Sequence, residues 1–183
     1  MTEKAYFFDS VEDDRIYNAS DFARVFEGIV GGGVVPGKDN ELEVVFGEGM
    51  EVIVQPGASW VQGRYYLNDA SKALVVTEAD PDLSRVDRVV LRVDLGTDAR
   101  KIEAVIKTGT PAIEPAPPDL QQESLIYEFP LYRYTVEGNA TNPIRLVDER
   151  EFMKSVIISD TAGAGAYKLT IIDRSLALEE VEK

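Results

Sequence analysis

Short segments in which apolar and polar residues alternate are the feature that most limits how this chain folds. Between residues 63 and 149, turns separate these segments. The clearest segment runs from Val89 to Leu95, where every second residue is apolar. Because the side chains of a β-strand point alternately to the two faces of a sheet, this pattern predicts strands with one buried face. We therefore expect a mainly β chain.

Further segments of the same kind occur along most of the sequence. They predict strands at residues 4–8, 42–46, 50–54, 59–68, 73–77, 125–136, 144–148, 154–159 and 167–178, the last with a tight turn at 173–174. For residues 98–107 a helix competes, since Asp98 is a suitable cap, but the β-branched content favours a strand. Pro130 has no amide hydrogen to donate, and so it marks a sheet edge or a bulge.

One segment near the N-terminus has helical spacing instead. Its apolar positions are Phe22, Val25, Phe26 and Ile29. Asn18 or Ser20 is suited to cap it, and the glycines at 31–33 end it. We expect the helix to pack its two phenylalanine rings on a core. The predicted fold is thus mainly β, a β-sandwich or partly open barrel, with one short amphipathic helix near the N-terminus.

Four prolines lie between residues 110 and 120 and predict an extended segment. This segment is either an interdomain linker or a strap over the sheet, and the strap is preferred because strand-like sequence resumes directly after it. We expect a single β-rich domain over residues 1–183. The alternative division has a helix-containing part at 1–78 and a β-sandwich part at 79–183.

The chain lacks the residues on which most catalytic sites depend. It contains no histidine and no cysteine, which excludes Ser-His-Asp triads, histidine-ligated metals and thiolate chemistry. Nineteen Lys and Arg against 33 Asp and Glu give a net charge of −14. Such a surface repels phosphate backbones and anionic lipids, so we expect no nucleic-acid and no membrane partner. No secretory signal is evident, and we expect a soluble protein made in the cytoplasm.

Candidate sites for metals and phosphate are weak. Acidic residues cluster at 9–14 and at 80–82, but without the spacing of a calcium loop, and solvated acidic loops are the favoured interpretation. The glycines at 31–33 follow a helix and precede no Lys-Ser or Lys-Thr pair, so they do not form a phosphate loop. No pair of carboxylates stands out as a hydrolase site. We predict no catalytic residue, no metal and no cofactor, and hence a protein that is not an enzyme.

Two groups of residues are candidates for binding. Trp60, Tyr65 and Tyr66 form an aromatic set suited either to stacking on sugar rings or to packing, and Tyr127, Tyr132 and Tyr134 form a second set. Arg145, Asp148, Glu149 and Arg150 form a charged cluster, which fits a self-pairing network or a contact to another subunit. The residues predicted to contact a glycan or a subunit are Trp60, Tyr65, Tyr66, Arg145 and Arg150.

Several stretches together resemble the tail-tip and baseplate structural proteins of tailed bacteriophages. They are WVQGRYYLND, SRVDRVVLRVD, TGTPAIEPAPPDL and YEFPLYRYTVEGNATNPIRLVDER, preceded by RIYNASDFARVFEGIVGGGVV in the helical region. The resemblance covers most of the chain. It consists of the order of these stretches and includes no catalytic signature.

The resemblance implies a virion protein made in the host bacterial cytoplasm and assembled into the tail or baseplate. In that family the similar region is often an N-terminal assembly module, and such proteins are commonly trimers or other symmetric oligomers. No fibre-like sequence follows here, so an assembly or adaptor role is expected, with self-association and docking on other tail proteins. The alternatives are a carbohydrate-binding module for host recognition and a carboxylate-based hydrolase.

Overall fold

The computed structural model describes residues 6–9, 12, 17–153, 157–159, 166–172 and 175–180. The mainly β fold with a single short helix near the N-terminus is confirmed in this part of the chain. The helix α1 is Ala19–Val30. The strands are β1 Gly33–Val34, β2 Val44–Phe46, β3 Glu51–Val54, β4 Gly57–Val61, β5 Arg64–Asn68, β6 Lys72–Val75, β7 Arg85–Asp94, β8 Lys101–Lys107, β9 Ile126–Val136, β10 Ile144–Asp148, β11 Ile157–Ser159, β12 Ala166–Ile172 and β13 Ser175–Glu180.

Antiparallel pairing joins these strands into four sheets. Three sheets have three strands, in the orders β1–β4–β5, β2–β3–β6 and β11–β12–β13, and the fourth has the order β10–β9–β7–β8. The longest strands, β7 and β9, pair along most of their length at the centre of the four-stranded sheet. Their side chains therefore form the continuous surface on which the core is built.

One cluster of buried side chains joins three of the sheets. Alternate residues of β7, Val89, Leu91 and Val93, face it, as the sequence pattern predicted. Valines of β2 and β3 pack on them, and Val34 of β1 and Val61 of β4 belong to the same cluster. Residues from both sides of position 78 thus share this core. The division into parts at 1–78 and 79–183 stays a prediction.

Most strand predictions agree with the structure, with two exceptions. The segment predicted as a strand at 59–68 is a hairpin of β4 and β5. Residues 101–107 form β8, so the strand interpretation of 98–107 was right. Val89 of β7 pairs with Tyr132 of β9, but Val90 pairs with Pro130. Leu131 of β9 is therefore left out of the pairing, which is a bulge. The strand predicted at 4–8 was wrong, because residues 6–8 are in no strand and 4–5 lie outside the described residues. The predicted turn at 173–174 also lies outside them.

Helix α1 begins and ends where the sequence predicted. The Asn18 side chain accepts hydrogen bonds from the amides of Ser20 and Asp21, and the Asp21 side chain accepts one from the Asn18 amide. This reciprocal pair is a capping box. At the other end, Gly31 adopts a positive φ of 69° and its amide donates to the Glu27 carbonyl.

The predicted burial of the helix stripe was wrong. Phe22 and Phe26 keep 43% and 42% of their surface exposed, and Ile29 keeps 67%. Of the helix residues only Ala23 is buried. The amphipathic pattern was predicted correctly, but the helix buries only its small residue Ala23 and leaves its large apolar side chains partly exposed.

The helix reaches the rest of the fold at the β4–β5 turn. A Cβ on Gly63 would lie 1.7 Å from the Ala23 carbonyl oxygen, so the helix backbone sits directly on this glycine. Gly63 also has a positive φ of 66°, which side chains disfavour. The only residue type that fits both constraints is glycine, and it fixes where α1 docks.

The proline-rich segment lies along the polar face of the four-stranded sheet. The Ala112 amide donates to the Ser84 carbonyl, Arg88 donates to the Pro118 carbonyl, and the Gln121 amide donates to the Glu128 carboxylate. These bonds tie both ends of the segment to the sheet. We call residues 110–122 the strap.

Candidate functional site

A groove of about 530 Å³ lies where the end of α1, the sheet β1–β4–β5, β9 and the strap meet. Its apolar walls come from Trp60, Leu120, Tyr127, Phe129, Pro130 and Phe152. Its volume is in the range of small-ligand sites, and aromatic walls with a few polar groups are typical of them. The groove is therefore the candidate binding site.

Close backbone packing forms one side of this groove. The Val34 amide donates to the Glu151 carbonyl and the Met153 amide donates to the Val34 carbonyl, so residues 151–153 run along β1. A Cβ on Gly33 would come within 2.6 Å of the Met153 nitrogen. The glycine lets the two backbones meet, and this places Glu151 and Phe152 beside Trp60.

The polar lining of the groove carries negative charge only. Its charged lining residues are Glu27 and Glu151, and its uncharged polar ones are Gln62 and Gln122. No lysine or arginine is among the lining residues. Gly31 and Gly32 follow the C-terminus of α1, which has no basic residue in its last turn. Because a helix C-terminus carries partial negative charge, it adds to the field of the two carboxylates.

The structure separates the three aromatic residues predicted as one site. Trp60 and Tyr65 face each other across β4 and β5, with ring centroids 5.2 Å apart and planes inclined at 56°. Tyr66 points the other way and packs against the core, and burial raises the pKa of its hydroxyl. Tyr66 thus has a packing role, whereas Trp60 and Tyr65 remain accessible.

An aromatic surface extends from Trp60 over the helix. Phe26 lies 5.4 Å from the Trp60 ring, and Phe7 lies 5.7 Å from Phe22. We define the aromatic surface as Phe7, Phe22, Phe26, Trp60 and Tyr65. Exposed Ile29 on α1 and exposed Leu67 on β5 extend the apolar area. A contiguous exposed apolar surface of this kind is typical of interaction sites.

The charged cluster at 145–150 divides into two networks and one isolated arginine. Arg150 pairs with Asp148 at 2.6 Å, donates to the Glu41 carbonyl, and stacks over the rings of Tyr132 and Phe152. Burial alone would raise the pKa of Asp148, but hydrogen bonding from Arg150 outweighs it and holds the pKa below its usual range. Burial raises the pKa of Tyr132 to about 12. Arg150 is therefore committed to an internal network.

Glu149 belongs to the second network. It accepts two bonds from Arg88 and one from Arg133, at 2.9–3.1 Å. Arg145 lies apart from both networks, with its side chain 73% exposed and 3.9 Å from Glu137. Of the two arginines predicted as contacts, only Arg145 is available at the surface.

Two buried ionic groups in the four-stranded sheet were missed. Glu128 is fully buried and accepts bonds from Arg92, Lys107 and the Gln121 amide. Burial alone would raise its pKa, but these donors outweigh it and hold the pKa below the usual range. Arg85 and Asp87 form a second buried pair at 3.0 Å. Both buried carboxylates, Glu128 and Asp87, are thus paired with cations inside the fold.

The acidic loops show no grouping for a metal. In the described residues, no three acidic side chains come together to hold an ion. The Asp80 carboxylate accepts the amides of Asp82 and Leu83, and these bonds lower its pKa, so it shapes the turn. Asp13 and Asp14 of the first acidic cluster lie outside the described residues.

The groove residues come from distant parts of the sequence, which is why they were not predicted as a site. Glu27 reaches the groove on α1, Gln122 through its bridge to Tyr127, and Glu151 and Phe152 through their pairing with β1. Tyr127 was noted as part of an aromatic set. For the buried charges a signal existed, since Arg85 and Asp87 are in phase with the apolar residues of β7.

Among the described residues, no helix is long and apolar enough to cross a membrane. Comparison with known proteins adds no relative: no protein-family model matches the chain, and no curated protein matches it.

Proposed function

We propose that this chain is a non-enzymatic assembly component of a phage tail tip or baseplate, a symmetric oligomer that also docks on other tail proteins. The observation that carries the proposal is the aromatic surface. It leaves two phenylalanines of α1 about 40% exposed in a chain of net charge −14. Apolar contact is the interaction best able to overcome the repulsion between such acidic copies. The order of the strand stretches resembles tail proteins and gives the proposal its context.

The assignment to a phage tail is tested on particles of the phage whose genome encodes the chain. We expect mass spectrometry to find the protein in purified virions, and gold-labelled antibodies to mark the tail end opposite the head. Tail-tape and distal-tail genes beside its own gene would agree. A protein that is missing from particles and encoded among unrelated genes would contradict the assignment.

Glycan binding is the second candidate, and the aromatic and amide residues that line the groove support it. Trp60 and Tyr127 offer ring faces, and Gln62 and Gln122 offer amides for hydroxyl groups. Calorimetric titration with host cell-wall glycan tests it, with Trp60→Ala as the variant that removes a stacking face. Tyr66→Phe is the matched control, because Tyr66 packs on the core.

The non-enzymatic part of the proposal is tested at the same groove. Glu27 and Glu151 are the carboxylate-bearing residues that line the groove, and both are exposed. We expect no release of reducing ends from cell-wall glycan. Hydrolysis that disappears in Glu27→Gln would contradict the proposal.

A further inference from the structure

We propose that the groove binds an arginine side chain of a partner protein. Three independent features converge on a cationic, planar group. They are the two lining glutamates Glu27 and Glu151, the C-terminus of α1, and aromatic walls that include Trp60 and Tyr127. No lining residue supplies a compensating positive charge.

The charge of the groove favours a guanidinium group over a neutral sugar. Both ligands stack on aromatic rings, but only a cation also gains from the two carboxylates and from the helix C-terminus. The nearest arginine in the 151–153 region, Arg150, is already paired with Asp148 and stacked on Tyr132. Arg64, which is not a lining residue, donates to the Gln62 carbonyl at 3.0 Å, and its single charge is smaller than that of the two lining glutamates.

The shape of the polar lining also suits arginine better than lysine. A guanidinium group is planar, stacks on ring faces and donates five hydrogen bonds in a fixed fork. Glu27, Glu151, Gln62 and Gln122 line the groove, and their side chains carry oxygens of the type that accepts from such a fork. A volume of about 530 Å³ accommodates the whole side chain.

The groove contains its own reporter. Trp60 is the only tryptophan in the chain, so intrinsic fluorescence reports on this site. The probe is the peptide acetyl-Gly-Arg-Gly-amide, with acetyl-Gly-Gln-Gly-amide as the neutral match. We expect a saturable change in Trp60 emission with the arginine peptide, a weaker affinity for the lysine analogue, and a loss of affinity as salt is added.

Charge variants separate binding in the groove from attraction to an acidic protein. Glu27→Gln and Glu151→Gln should each weaken binding about twofold to fivefold, as expected for an exposed ion pair. Glu48→Gln removes the same charge at an exposed residue outside the groove and should leave binding unchanged.

Three outcomes would overturn the inference. They are an equal response to the glutamine peptide, no response to the arginine peptide, and binding that is unaffected in both groove variants. A response to chitotriose alone would assign the groove to glycans instead. Oligomeric mass is measured separately, so failure here is distinguishable from failure of the assembly role.

Discussion

Gly63 and Gly37 have nearly the same φ, +66° and +67°, but of the two only Gly63 lies against another element. The Cβ position of Gly63 lies against the Ala23 carbonyl of α1, whereas nothing lies within 4 Å of the Cβ position of Gly37. At the residue scale, this single contact explains where the helix sits. It also provides a matched pair of substitutions.

Gly63→Ala should displace α1, because the new Cβ would overlap the Ala23 carbonyl. We expect faster amide hydrogen exchange in residues 19–30. We also expect a change in Trp60 fluorescence, because Phe26 would lose its contact with the Trp60 ring. Gly37→Ala adds only the cost of a positive φ, about 1 kcal/mol, and should leave the exchange of α1 unchanged. Equal effects of the two substitutions on α1 would show that the helix does not depend on Gly63.

Glu128→Gln should strongly destabilise the fold, since it leaves Arg92 and Lys107 without their shared carboxylate. Breaking a buried pair typically costs about 3–5 kcal/mol, and the partial exposure of both cations reduces this to roughly 2 kcal/mol. Urea unfolding measures the loss. Glu103→Gln, which breaks the exposed pair with Lys101, should cost under about 1 kcal/mol.

The same carboxylate predicts an acid-sensitive fold. The folded pKa of Glu128 is below its unfolded value of about 4.3, so its ionised form stabilises the native state. This stabilisation is complete above that value and is lost as the pH falls through the folded pKa. Urea unfolding at a series of pH values should show stability falling below about pH 4.3, with a smaller fall in Glu128→Gln. If the stability of the variant fell equally steeply with pH, Glu128 would be excluded as a source of the acid sensitivity.

At the element scale, the strap is joined to the sheet through polar contacts. Arg88 is the central one, because it binds both the Glu149 carboxylate and the Pro118 carbonyl. The same face of the sheet carries Glu128, which accepts the Gln121 amide near the end of the strap. Backbone amides of Ala112 and Gln121 hold the two ends of the strap, and between them the Arg88 side chain donates to the Pro118 carbonyl.

Arg88→Met should therefore loosen the strap. We expect faster proteolytic cleavage between residues 112 and 121 while the hydrogen-exchange protection of β7 and β9 is retained. Arg133→Met is the control, since Arg133 also binds Glu149 but donates no hydrogen bond to the strap. Unchanged cleavage in Arg88→Met would mean that the remaining strap contacts are sufficient.

The sequence predicted the positions of the helix and strands better than the contacts between them. Alternation located β7 and β8, and the capping pattern located α1, because these signals depend on residues close in the chain. Burial of the α1 stripe was predicted wrongly, because hydrophobic periodicity shows that a face is apolar but not what covers it. The groove was invisible for a related reason: residue 151 meets residue 34 only through long-range pairing.

At the scale of the whole molecule, two surfaces differ in character. The aromatic surface is apolar and exposed, and the groove beside it carries negative charge. Trp60 belongs to both. This arrangement gives the proposed assembly module one surface for association between copies and one site for a basic group on another protein.

The mass of the protein in solution tests the proposed self-association most directly. Sedimentation equilibrium should give a multiple of the 20.2 kDa chain mass, with three copies as the expected state. The Phe22→Glu, Phe26→Glu double variant should sediment as a single chain, because charges replace the centre of the aromatic surface. Ile113→Glu, a substitution of an exposed apolar residue on the strap, should keep the oligomer. A wild-type protein that remains at 20.2 kDa at high concentration would contradict self-association through this surface.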